Sequence, residues 1–264
     1  MQHSSLTRRR LITIAAAATG TVLAGRIARA EDAVRWHGSA LGAQVSIEIH
    51  HSDRAEAEQL VRQSLAEVRR LEGLFSLYRS DSAICALNRT GVLVAPDPDM
   101  VKLLRSALAF ADLTGGAFDP TVQPLWQLYA LHFSSLTADP HGPPAEKLAE
   151  ALAKVGRDGL LVSADRIALA KHGAGLTLNG IAQGYATDRV VDVLRGAGLS
   201  TALVDMGEIR ALGARPDGTP WQVGLADADQ PGQLGAAVAI VDRAVSTSSG
   251  TGFQFDRAGC FTHL

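Results

Sequence analysis

Residues 173–188, GAGLTLNGIAQGYATD, constrain this chain more than any other stretch. An apolar run (Leu176, Thr177, Leu178) meets Asn179-Gly180, and an amphipathic pattern follows from Ile181 onward. That order predicts a buried strand, a sharp turn and the first turns of a helix. Such a turn brings backbone N–H groups and carbonyls close to a ligand, and glycine permits the approach. Taken alone the junction also reads as plain punctuation between two elements. What flanks it decides which.

The first thirty residues stand apart from any fold. Arg8-Arg9-Arg10 precede a mildly apolar, alanine-rich run, and Ala28-Arg29-Ala30 offers a small-x-small cleavage site. The run is short for a membrane span, so residues 1–30 read as a twin-arginine signal peptide and residues 31–264 as the mature, periplasmic part. Without the five leader arginines, 20 basic residues face 27 acidic ones, a net of −7. That acidity argues against nucleic acid and anionic membrane as partners. No stable membrane insertion is expected once the leader is cleaved. Cys85 and Cys260 are the only cysteines, without metal spacing, and read as two separate buried thiols.

The mature part alternates helical and strand patterns. Residues 43–49 alternate apolar and polar as a strand does, and His50-His51 after them read as a solvated turn. Residues 53–74 carry a helical apolar stripe capped by Asp53, and Gly73 marks its end. Ser80-Asp81-Ser82 offers caps for a short helix, and Tyr78 just before it reads as a core tyrosine. Residues 99–113 form another amphipathic helix. Asp119, held extended by Pro120, is either an Asx turn or a ligand group. Residues 125–133 are an apolar helix or lid, 137–144 a loop, and 145–155 a short helix. Residues 159–178 read as a strand pair, 185–197 as a helix. Short strands follow at 201–204, 211–214, 221–226 and 236–241, with a last hairpin from 253. The class is α+β.

These pieces resemble the ApbE family, the FAD:protein FMN transferases. The matching segments are SLYRSDSAICALNR (76–89), GAFDPTVQPL (116–125), LNGIAQGYATDR (178–189), ALVDMGEIRALG (202–213), PWQVGLAD (220–227), AVSTSSG (244–250) and FTHL (261–264). The leader and the LNGIAQGY variant are similar to the exported, NosX-like subgroup associated with nitrous oxide respiration. The resemblance implies one domain of mixed, largely antiparallel sheets with packed helices. It implies transfer of FMN from FAD to a threonine or serine of an exported flavin-accepting protein, with Mg2+ on the pyrophosphate. Tyr78 would then pack on the flavin nucleotide, Ala117, Phe118 and Asp119 would line its site, and Leu41, Thr177, Gln183 and Leu264 would contact FAD. Gly180 would lend a backbone oxygen to magnesium, and His263 would be the general base.

Some positions depart from the family pattern. Thr177 stands where many members carry Asp, Gln183 where many carry Lys, and Leu41 where Met is usual. The sequence also stops at Leu264, before the family's D-P-x-T-G turn and the later Asp and Ser/Thr metal ligands. That predicts a C-terminally truncated domain with an incomplete metal site. An FAD-binding carrier without chemistry and an FAD pyrophosphatase are therefore the alternative functions.

Overall fold

A computed structural model describes residues 33–227, 230, 233–248 and 253–262. The predicted leader, His263 and Leu264 lie outside the described residues. The fold is α+β. Its main sheet is fully antiparallel, in the order β1 (Ala33–Ala40), β2 (Ala43–His50), β6 (Ala202–Asp205), β7 (Ile209–Leu212), β10 (Ala244–Val245). A smaller sheet joins β3 (Val92–Val94), β5 (Arg166–Leu169) and β4 (Leu160–Val162), and β8 (Trp221–Ala226) pairs with β9 (Leu234–Ile240). β1, whose Val34-Arg35-Trp36-His37 alternates apolar and polar, is not among the strands read from the sequence. It is fixed by a two-residue turn, Leu41-Gly42, with φ of 52° and 78°. Positive φ at both central residues gives a hairpin twist that matches the strands.

Two helices cover the main sheet. α1 (Arg54–Phe75) starts at Asp53, whose side chain accepts from the Ala55 and Glu56 amides. It runs through Gly73, because Leu71 and Phe75 are both buried and hold its last turn down. α6 (Ala182–Gly196) lies beside it. Val68 of α1 and Val190, Val191 and Leu194 of α6 pack on Ile47, Ile49 and Val204 of the sheet, making the first core. Each such aliphatic side chain stabilises the fold by about 1.5–3 kcal/mol when fully buried.

The second core lies under the far end of α1. There α2 (Ala83–Thr90) and α3 (Pro98–Leu113) bring Ile84, Leu87, Met100 and Leu104 against Leu71, Phe75, Ile167, Leu176 and Leu178. Ser82 caps α2, its Oγ accepting from the Cys85 amide. Thus α1 belongs to both cores and ties them together. α4 (Gln123–Phe133) packs its Trp126 and Tyr129 against Phe253, Phe255 and Phe261, with ring centroids 5.5–5.7 Å apart. It is a packing helix for the last hairpin, where Gln254 bridges Thr262. α5 (Ala145–Leu152) completes the helices. Among the described residues no helix is long and apolar enough to cross a membrane.

Four readings of the sequence are corrected. Residues 171–173 form a turn, and 174–178 join no ladder beyond one bridge, Val122 with Gly175. Their backbone groups go elsewhere, as buried polar groups must. Tyr78 is 68% exposed and so is no core residue. His50 is the last residue of β2, its Nε2 2.8 Å from Glu48 Oε1, rather than part of a solvated turn. Cys260 is exposed and Cys85 half-buried; both thiols are free. Cys260 sits on a turn whose amide donates to Asp256, which leaves the residue outside either core.

Candidate functional site

The site is assembled around residues 176–184. Asn88 holds Leu176 from both sides: its Nδ2 donates to the Leu176 carbonyl at 2.9 Å, and its Oδ1 accepts from the Leu176 amide at 2.7 Å. The Thr177 amide donates to the Pro120 carbonyl at 2.8 Å. Leu178, fully buried, then turns the chain, its carbonyl accepting from the Ile181 and Ala182 amides at 2.9 and 2.7 Å. α6 begins there without a side-chain cap at Ile181. Its positive end is therefore open to an anion from outside the chain.

That helix start borders a cavity of about 370 Å3. Its lining mixes apolar side chains (Phe110, Phe118, Ile181, Ile209 and Val245) with polar ones (Asn179, Gln183, Thr187, Asp188, Glu208 and Ser246). A Cβ at Gly180 would lie 3.2 Å from Phe118 Cε2, so any side chain there would push the ring back by a few tenths of an ångström. The arrangement suits a flat, partly apolar ligand with an anionic group near the helix.

The polar lining is built on the turn between β6 and β7. Asp205 Oδ1 accepts from the Gly207 amide at 2.9 Å, and Gly207 has φ of 96°. The Gln183 amide packs on this glycine so closely that a Cβ would lie 2.7 Å from Gln183 Cδ. Thr187 Oγ1 is 2.9 Å from both the Gln183 and the Glu208 carbonyls, so one hydroxyl serves the helix and the turn. Burial pushes the Glu208 carboxyl above its ordinary value, Asp205 pushes the same way, and hydrogen bonds from Ser246 and the Thr247 amide pull against them. Burial likewise raises Asp205, opposed by the Gly207 amide. Asp188 is ion-paired with Arg210.

Residues predicted from distant parts of the sequence meet here. The Leu41 amide donates to Glu72 Oε1 at 2.8 Å, and its carbonyl accepts from Gln183 Nε2 at 3.4 Å. The Tyr78 ring lies beside Gly42, whose Cβ would be 3.8 Å away. So Leu41, Tyr78 and Gln183 share one edge, and Phe118 and Gly180 share the cavity. Ala117 is exposed beside Phe118 and, like Asp119, is not on the cavity wall. Asp119 Oδ1 accepts from the Thr121 amide and hydroxyl at 2.8 and 2.6 Å, an Asx turn. Thr177 lies outside the wall, its Oγ1 accepting from the Asn179 amide at 3.2 Å. His263 and Leu264 lie outside the described residues.

Glu208 was missed as a site residue, although the sequence places it in the short connection Asp205-Met206-Gly207-Glu208 between two strands. Among the described residues no three His, Cys, Asp or Glu gather as a metal site.

The model of the ApbE family matches residues 41–264. The FAD:protein FMN transferase of Treponema pallidum is 32% identical over 228 residues, 79% of this chain and 62% of that protein. The one of Haemophilus influenzae is 26% identical over 215 residues, 78% of this chain and 62% of that protein. This chain thus spans about 62% of the length of these curated relatives. Among solved structures, the flavinyl transferase ApbE of Pseudomonas stutzeri superposes with a TM-score of 0.69 at 29% identity, covering 82% of this chain and 69% of that one. The flavin transferase ApbE of Vibrio cholerae gives 0.71 at 25% identity, covering 85% and 73%. The matched region takes in the second core, the first core apart from its β1 residues, the turn at Gly180 and the whole cavity lining, and the chain belongs to the ApbE family.

Proposed function

We propose that this chain binds FAD at the cavity beside α6 and transfers FMN to a threonine or serine of an exported flavin-accepting protein. The acceptor's hydroxyl oxygen bonds to the FMN phosphorus, the pyrophosphate P–O bond breaks, and AMP leaves with the electron pair. The hydroxyl proton passes to His263 or to water. One observation carries the reading: aromatic rings, an uncapped helix start and a polar turn meet in a single cavity. Phe118 and its neighbours would hold a ring system, the first turn of α6 would face the pyrophosphate, and Gln183 would orient it without adding charge.

Magnesium belongs to this proposal through the family resemblance. The described residues do not by themselves supply the near-octahedral oxygen set it requires, since Asp188 is already paired and no acidic trio gathers. The described residues would therefore bind and orient the nucleotide for this transfer.

Export through the twin-arginine pathway is part of the same proposal, with the NosX-like leader pointing to an acceptor in nitrous oxide respiration. Incubation with FAD, magnesium and a threonine-containing acceptor tests the chemistry. Covalent flavin on the acceptor is expected. Unchanged FAD would mark a carrier, and free FMN with AMP a pyrophosphatase.

A further inference from the structure

Glu208 has no role in the assignment so far, yet the fold takes trouble to fix it. The turn that presents it is held by Asp205, by the close fit of Gln183 against Gly207, and by the Thr187 hydroxyl. The Asp205 bond sets the shape of the turn, and the Gln183 and Thr187 contacts tie it to the first turns of α6, so Glu208 keeps a constant place relative to the helix start. Its carboxyl is half-buried on the cavity wall, beside Ser246. The other wall carboxylate, Asp188, has Arg210 as its partner. Among the described residues no cation pairs with Glu208. A carboxylate has about four acceptor sites on its two oxygens, and Ser246 and the Thr247 amide account for two.

We propose that Glu208 is a substrate-recognition residue, its carboxylate accepting a hydrogen bond from an N–H or O–H group of the nucleotide in the cavity. The proposal rests on the reading of this cavity as an FAD site. An ionised carboxylate only accepts, so it selects donor edges and repels phosphate. The phosphates are thereby steered to the α6 start, and a ring or sugar donor is left for Glu208. FAD offers such donors in both halves: the adenine amino group and its ribose hydroxyls, or the flavin imide N–H and its ribityl hydroxyls. A site built around a buried acceptor discriminates strongly against ligands that lack the donor, because the acceptor is then left unpaired.

Titration of FAD, FMN and ADP into the wild-type chain, Glu208→Gln and Glu208→Ala tests this, with thermal melts alongside. Glu208→Ala should bind FAD about ten- to a hundredfold more weakly, the loss expected for a charge-assisted hydrogen bond. Only one of FMN and ADP should weaken with it, which names the half that Glu208 reads. Glu208→Gln keeps one acceptor oxygen and should lose less affinity. It should also melt no lower than wild type, because it removes a partly buried charge; that melt separates recognition from a structural role and serves if the alanine variant fails to fold. Wild-type affinity for FAD in both variants would overturn the proposal while leaving the flavin site standing. Failure of the wild-type chain to bind any of the three would remove the flavin reading and this proposal together.

Discussion

Asp119 lies off the cavity wall, and its carboxylate is engaged by the fold. Its Oδ1 is taken by the Thr121 amide and hydroxyl, and Thr121 Oγ1 in turn accepts from the Gly156 amide at 2.8 Å. This chain pins the turn before α4 to the loop after α5, so losing the carboxylate loosens both. Asp119→Ala should lower stability by about 1–2 kcal/mol through the lost hydrogen bonds. Asp119→Asn keeps an acceptor oxygen for the Asx turn and removes only the charge. If Asp119 also meets the nucleotide, asparagine should restore the melting temperature but leave FAD affinity reduced about tenfold or more. Recovery of both by asparagine would place Asp119 among the purely structural residues.

At the scale of elements, the β1–β2 hairpin carries a polar pairing of its own. Arg35 and Glu48 stand directly opposite each other and meet through two bonds of 2.9 and 3.0 Å. His50 Nε2 is 2.8 Å from the same carboxylate. Burial alone would raise Glu48, but the hydrogen bonds from His50 and Arg35 outweigh it and hold the group at about 2. A folded value below the ordinary 4.5 means that the stabilisation is fully present above pH 4.5 and is lost as pH falls through about 2. With Arg35 half-exposed, solvent screening reduces the effect to about 1–2 kcal/mol. Denaturant melts of Glu48→Gln should fall below wild type by that much at pH 7, and the two should converge near pH 2. A gap that stays constant with pH would mean that packing, not the ion pair, is responsible.

Across the whole molecule, α1 joins two cores, and the cavity opens where the sheet, α6 and α3 come together. Residues 31–264 carry a net charge of −7, while the charged side chains of residues 1–30 are all arginines. For the proposed export of an already folded domain, the arginine pair is the recognised feature. Replacing Arg8, Arg9 and Arg10 together by lysine keeps the charge and should leave precursor in the cytoplasm. Fractionation showing undiminished mature protein in the periplasm would count against the twin-arginine route.

Much of this architecture is legible locally. The stripe of α1, its Asp53 cap, the Ser82 cap of α2 and the alternation of β2 follow from periods of 3.6 and 2 and from the hydrogen-bonding needs of helix ends, all properties of neighbouring residues. The turn at Asn179-Gly180 and the helix after it are legible for the same reason. Tertiary structure decided what neighbours cannot. Leu176 and Leu178 look like strand residues because they are buried, yet their segment is held by Asn88 and Pro120 from far along the chain instead of by a ladder. Whether Tyr78 is core or surface depends on which turn lies beside it. Glu208 becomes a site residue only because Gly207 lets Gln183 press the turn against α6, and its raised proton affinity comes from burial, which a sequence fixes only through the contacts of the finished fold.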